Sequence, residues 1–248
     1  MKPAAVLACA ALLSSGSLHA AELAVAVAAN FSAPMQKIAA SFEQQTGHKL
    51  VLSFGGTGKF YAQIRNGAPF EVLLAADDET PARLEREGLS VSGTRFTYAI
   101  GRLALWSRQP GLVDGQGDVL RTGSFARIAL ADPRLAPYGA AAMQTLNRLG
   151  LADALASRFV QGENIGQAYQ FVATRNAELG FVALSQVFAA GRVAEGSAWV
   201  VPESLHEPMR QDALILARGK DKPAALELMR HLQGEAARAI IRSHGYGL

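Results

Sequence analysis

"LSFGGTGKFYAQI", Leu52 to Ile64, sets three glycines, a threonine and a lysine between an apolar run and a helical pattern. The run reads as a strand. Phe60, Tyr61 and Ile64 then recur at the spacing of an inward-facing helix. Strand, glycine turn and helix make the local plan of an anion cradle, because the first helical turn carries unpaired N–H groups and a partial positive charge. A nucleotide-binding P-loop is excluded. Counting back from Gly58-Lys59 puts Ser53 where that motif needs its first glycine, and Phe60 where it needs a magnesium-binding hydroxyl. Gly55, Gly56 and Gly58 still permit close backbone approach, and Thr57 adds a hydroxyl donor. Lys59, in the first turn, is expected to point to solvent.

Outward from this loop, strands and helices alternate. "LAVAVAA" (Leu23 to Ala29) reads as a buried strand, followed by a helix with Met35, Ile38, Ala39 and Phe42 on one face and Gly47 at its end. "KLVLSF" and "FEVLLAA" are two more strands. Thr80 is expected to cap a helix that begins at Pro81 and ends at Gly88. The pattern restarts at "RIALADP", a strand ending at Asp132, with a helix from about Gly139 to Arg148. "LADALASRFV" reads as another helix, Asn164 as the cap of the next, and "LGFVAL" as a strand. Short apolar strands alternating with helices predict an α/β protein with mostly parallel sheets covered by helices. Two such units are expected, residues 21–102 and 103–207. "FTYAIGRLALWS" and "MRQDALILAR" would cross between them, and the helices Pro223 to Gln233 and Glu235 to Ser243 would return 208–248 to the first unit.

Composition narrows the class. Half of the 248 residues are apolar, enough for two modest cores. Lys2, the apolar stretch Ala4 to Leu13 and the small polar run ending in "SLHA" form a secretory signal peptide, residues 1–20, with cleavage near Ala20. That predicts export to the periplasm. Cys9 is the one cysteine and lies in this leader, so no disulfide is expected. With Lys2 removed the net charge is only about +2, and the basic residues are scattered, which argues against nucleic acid as a partner. His48, His206, His231 and His244 have no metal-ligand spacing and are expected at the surface or in loops. Asp77-Asp78 precedes a helix and fits helix-start electrostatics better than a catalytic pair. There is no GxSxG, and no catalytic residue, cofactor or free metal cation is expected.

The glycine loop has three counterparts. "AANFSAPM" ends a strand with Asn30 and Ser32 before a helix; "ADPRLAPYGAAAM" sets Tyr138 and Gly139 before another; "GENIGQAYQF" sets Asn164 and Ile165 at a third helix start. All four follow strand ends, where ligands of open α/β sheets bind. None carries an obligatory Lys or Arg.

"AANFSAPMQKIAASFEQQTG", "LSFGGTGKFYAQIRNGAPFEVLLAAD", "ALADPRLAPYG" and "LGFVAL" resemble, in this order and over nearly the whole chain after the leader, the molybdate-binding proteins of bacterial ABC importers. The resemblance implies a two-lobed type II periplasmic-binding fold closing on a tetrahedral oxyanion. Lobe 1 would be 21–102 plus 208–248, and lobe 2 would be 103–207. The implied ligand is molybdate or tungstate, delivered by a monomer to an inner-membrane ABC permease with its cytoplasmic ATPase. Matched position by position, it implies contacts from Asn30, where many relatives have Ser, and from Thr57, where relatives have Ser. It also implies the backbone at Tyr138 and the N–H of Ile165, with Phe31, Gly58 and Gly139 as further candidates. Ala183 stands where some members have an anion-contacting Tyr, and the Tyr138 phenol is expected to take over that role. Neutral donors suit molybdate, a dianion with only acceptor oxygens, whereas hydrogen phosphate needs an acceptor for its proton. Asp132 and Glu163 are the carboxylates nearest the loops. Sulfate or another oxyanion is the alternative ligand, and an exported enzyme or a sensor on the same fold is the alternative class.

Overall fold

The computed structural model of the protein describes residues 20–189 and 191–248. The signal-peptide reading and Cys9 lie outside the described residues, apart from Ala20. The first unit opens with β1 (Glu22–Ala28), whose Leu23, Val25, Ala26 and Val27 are all fully buried, as a strand covered on both faces must be. A short turn of 3₁₀ helix, Ala29–Phe31, leads into α1 (Ser32–Thr46). Met35, Ile38, Ala39 and Phe42 form the buried stripe of α1, and the helix ends at Gly47 in the left-handed conformation. Burial of a side chain such as Phe42 or Ile38 contributes about 1.5–3 kcal/mol, so this stripe fixes the helix on the sheet. Next come β2 (Lys49–Gly55), α2 (Thr57–Arg65), β3 (Val72–Leu74), α3 (Glu79–Arg86) and β4 (Phe96–Gly101).

The second unit contains β5 (Leu103–Ser107), α4 (Val119–Thr122), β6 (Ile128–Ala131), α5 (Pro137–Arg148), α6 (Ala152–Leu155), β7 (Phe159–Gly162), α7 (Ile165–Ala173) and β8 (Leu179–Ala183). It closes with α8 (Leu184–Val187), the small hairpin β9 (Phe188–Ala189) and β10 (Arg192–Val193), and β11 (Ser197–Val200). The chain then returns through β12 (Met209–Ile215) to α9 (Pro223–Gln233) and α10 (Glu235–Ser243). Both terminal helices fall on the predicted residues and pack on the first unit, α10 against α1 and α9 against β12.

The first sheet has the order β2-β1-β3-β12-β4, and the second the order β11-β5-β8-β6-β7. In each sheet four strands share one direction and one opposes them: β12 in the first, β5 in the second. The opposing strands are the ones expected to cross between units. β12 shifts register between Gln211 and Asp212, a bulge against β4.

Several local expectations differ from the structure. "LADALASRFV" is a helix only over Ala152–Leu155; after one 3₁₀ turn its end becomes β7, which pairs in parallel with β6 from Ile128↔Phe159 to Ala131↔Gly162. Sheet pairing outweighs the helical pattern there. Thr80 does not cap α3. It lies inside the helix, and the Asp77 carboxylate accepts from its N–H (2.9 Å) and hydroxyl (3.1 Å). Tyr138 and Gly139 lie within the first turn of α5, which begins at Pro137, a residue that suits this position because it has no N–H to satisfy. "FEVLLAA" pairs as a strand only over Val72–Leu74. Beyond it the Ala75 N–H still bonds the Asp212 carbonyl of β12 (2.9 Å), and the Ala76 N–H donates to Thr57 Oγ1 (3.0 Å). The strand "SAWV" at Ser197–Val200 had no sequence expectation. His48, His206 and His244 occupy loops or turns but are buried rather than superficial.

Candidate functional site

The carboxyl ends of β1, β2, β6 and β7 deliver four segments to one small cavity. Its walls are Ala28–Asn30, Gly55–Thr57, Ala136–Tyr138 and Asn164–Ile165, closed by Ala76. Asn30, Thr57, Tyr138 and Ile165, the four residues singled out in the sequence, are thus brought together. The further candidates are not. Phe31 is a core side chain, its ring edge-on to Tyr98 (4.7 Å) and Tyr246 (5.5 Å). The Gly58 N–H is spent on the carbonyl of Leu135 (3.2 Å), and the Gly139 N–H on that of Ala136 (2.9 Å). Both glycines serve close approach instead. A Cβ at Gly139 would sit 2.3 Å from the Ala131 oxygen, and one at Gly58 would sit 2.8 Å from the Leu135 oxygen. The first contact seats α5 on the end of β6; the second presses the two units together.

Three helices begin at this cavity. Among the described residues the N–H groups of Thr57, Tyr138 and Ile165 have no acceptor, as expected for first-turn positions. Asn164 caps α7 with its side chain, taking the N–H groups of Gly166 (2.9 Å) and Gln167 (3.2 Å), which leaves the Ile165 N–H for a ligand. Thr57 Oγ1 already accepts from Ala76, so its own proton is free to be donated. Unpaired donors and three aligned helix dipoles make the spot electropositive without any ionised side chain.

The cavity walls include no carboxylate, lysine or arginine. Asp132 is held by the Arg134 backbone N–H (2.9 Å) and guanidinium (3.0 Å to Nη2), which keep its carboxyl below the usual range. Lys59 lies at the exposed surface, as expected, where it pairs with Glu163 across the seam between units (3.1 Å) and stays out of the cavity. Among the described residues no three His, Cys, Asp or Glu side chains are grouped to hold a metal ion.

Behind the cavity lies a buried polar cluster that the sequence did not announce. Asn30 meets Gln211 (2.9 Å) and Tyr246 (2.9 Å), and Gln211 meets Tyr98 (3.1 Å) and Tyr138 (3.0 Å). The Tyr138 phenol is therefore anchored to Gln211 rather than being a free arm. Burial raises the pKa of Tyr98, Tyr138 and Tyr246, so all three phenols stay protonated and neutral. The one hint in the sequence is the Gln211-Asp212 pair that opens the apolar run of "MRQDALILAR".

A wider, open groove adjoins the cavity and shares Ala76, Ala136 and Pro137 with it. It is lined by Asp77, Asp78, Glu79 and Glu207 together with Arg83, Arg134 and Arg210. Desolvation pushes the Asp77 carboxyl up to about 6. Four carboxylates make this groove the poorer host for a dianion.

Two sheet units with one donor-lined cavity between them define a binding protein. Residues 23–247 match the bacterial extracellular solute-binding proteins, and the chain belongs to that family. Among its relatives is the molybdate-binding protein ModA of Azotobacter vinelandii, 58% identical over 245 residues, which are 99% of this chain and 94% of that protein. The ModA of Rhodobacter capsulatus is 46% identical over 227 residues, 92% of this chain and 88% of that protein. The structure of the Azotobacter vinelandii periplasmic molybdate-binding protein aligns with a TM-score of 0.89 at 44% identity, covering 91% of this chain and 99% of that one. The fold is thus the two-lobed type II periplasmic-binding fold, and its role is binding rather than catalysis.

Proposed function

We propose that this protein captures molybdate, and tungstate with it, in the periplasm and hands it to an ABC permease driven by a cytoplasmic ATPase. The lobes would be 21–102 with 208–248, and 103–207, hinged where the chain crosses between sheets. The observation that carries the reading is a cavity between the two units walled only by neutral groups, with unspent protons on Thr57, Tyr138 and Ile165. Asn30 and Thr57 would contribute side chains, and Tyr138 and Ile165 backbone N–H groups. A bare dianion fits such a site, since every oxygen accepts and none brings a proton. Each hydrogen bond to a charged group contributes about 1.5–3 kcal/mol. Five or six outweigh the ~8–12 kcal/mol of micromolar to nanomolar binding, and the excess offsets desolvation and lobe closure.

Calorimetry on the purified mature chain tests this with molybdate, tungstate, sulfate and phosphate. Molybdate and tungstate are expected to bind at least about a hundredfold more tightly than sulfate, and phosphate weakest. Equal affinity for sulfate would remove the ligand assignment. Binding of phosphate alone would remove the neutral-donor argument itself.

A further inference from the structure

The buried cluster behind the cavity has a proton count that decides how Asn30 faces its ligand. Asn30 and Gln211 are buried amides, 2% and 0% exposed. Heavy-atom positions do not distinguish amide O from N, so the hydrogen-bond partners must. Suppose Asn30 donates through Nδ2 to Gln211 Oε1 and to Tyr246, and Gln211 donates through Nε2 to Tyr138. Asn30 Oδ1 is then buried with no partner, and a bare acceptor belongs to a residue that lines an anion cavity. Gln211 Oε1 also faces the Tyr98 oxygen at 3.1 Å, although the Tyr98 proton has a closer acceptor in the Ala75 carbonyl at 2.8 Å.

Turning both amides over gives Asn30 Oδ1 a donor in Gln211 and separates the two acceptors at Tyr98, and it makes Tyr246, 2.9 Å from the Asn30 side chain, a donor to Oδ1. Gln211 Nε2 then donates its two protons to Tyr98 Oη and Asn30 Oδ1, and Gln211 Oε1 accepts from the Tyr138 phenol. Tyr98 keeps its proton on Ala75. The Asn30 NH₂ no longer has a protein partner and is left for the cavity. The other side of Asn30 is held as well. Pro34, four residues on, has no N–H to give the Asn30 carbonyl, and the hydroxyl of Ser185 (2.8 Å) occupies that oxygen instead.

We infer that Gln211 is a positioning residue of the anion site: by donating to Asn30 Oδ1 and accepting from Tyr138, it turns the Asn30 NH₂ toward the oxyanion and holds the Tyr138 proton away from it. This rests on the proposed ligand class and deepens it. It also reassigns Tyr138, whose phenol orients Gln211 while its backbone N–H faces the cavity. Because Gln211 lies on β12, Tyr138 on α5 and Asn30 after β1, one amide aligns donors from both units.

The test is a double-mutant cycle on molybdate affinity, with the melting temperature of the anion-free protein measured in parallel. Gln211→Leu is expected to weaken molybdate by about tenfold or more in the wild-type background, and by less than about twofold when Asn30→Ala is already present. Additive losses would overturn the inference, because Gln211 would then act independently of Asn30. Tyr138→Phe removes the phenol that orients Gln211 but keeps the backbone N–H, so it is expected to weaken molybdate severalfold in the wild-type background and by less than about twofold when Gln211→Leu is already present; an equal loss in both backgrounds would mean the phenol touches the anion. Should Gln211→Leu fail to fold, the wild-type chain still decides. With ¹⁵N-asparagine and backbone labelling, the Asn30 side-chain resonance is expected to shift on adding molybdate. An unmoved Asn30 signal beside shifting Thr57 and Ile165 amides would sink the idea. A wild-type protein indifferent to molybdate would instead count against the ligand class, a separately visible failure.

Discussion

The small donor-lined cavity and the larger groove beside it share three residues and both span the two units, yet they are built on opposite principles. The groove is rich in full charges of both signs on long or exposed side chains, and the cavity has none. A mobile arginine attracts any anion and pays entropy to hold still, whereas a helix-start N–H is already fixed and cannot be titrated. The cavity offers protons in set positions, and in the proposed site selectivity would follow from which oxygens can reach them. The difference teaches that an anion site need not announce itself by positive residues.

The sharpest way to break the comparison lies in the cavity. Thr57→Val keeps the shape and removes one donor; it also strands the Ala76 N–H that Thr57 satisfies. Molybdate affinity is expected to fall by about 1.5–3 kcal/mol, roughly ten- to a hundredfold, read by calorimetry. Unchanged affinity would mean that the hydroxyl faces away from the anion.

A smaller effect belongs to the groove. The Asp77 carboxyl titrates near 6, above its unfolded value, because desolvation disfavours its charge. The folded protein therefore binds the extra proton between about pH 4 and 6. Stability supplied by neutral Asp77 is full below that window and is lost as pH rises through 6. Since Asp77 is partly open to the groove, the loss should not exceed about 2 kcal/mol. Asp77→Asn, whose amide oxygen can still accept from the Thr80 N–H, should flatten this part of the stability–pH curve. A curve of the same slope would place the titration elsewhere.

The smallest effect sits on the rim between them. Lys59 and Glu163 meet across the seam, with side chains 55% and 37% exposed, and such pairs contribute about 0–1 kcal/mol. Lys59→Met should weaken molybdate by no more than about fivefold and remove part of the salt dependence of binding. A hundredfold loss would show that Lys59 reaches the ligand.

How far these regions could be read from the sequence differs for a physical reason. Strand ends, glycine turns and helix starts are local patterns, so the four donor segments, the Asn164 cap and both C-terminal helices were legible. The four residues of β7 were not, because their pairing with β6 rather than their own preference makes them a strand. The start of α3 was misplaced: the N-cap position is Asp78, and the Asp77 carboxylate takes the N–H that Thr80 could not satisfy for itself. Of the cluster behind the cavity only the polar Gln211-Asp212 pair showed, with no sign of its partners. Asn30 meets Gln211 from 181 positions away and Tyr246 from 216, and nothing local signals such meetings.

The seam at Gly58 carries a last implication. There the main chain of one half rests on the main chain of the other, at Leu135, with a gap too narrow for a methyl group. Any side chain at that position would act as a doorstop, propping the jaws apart however well the ligand was gripped inside. In the proposed capture cycle, shutting the two halves would thus depend as much on the emptiness of one position at the lip as on the chemistry at the centre.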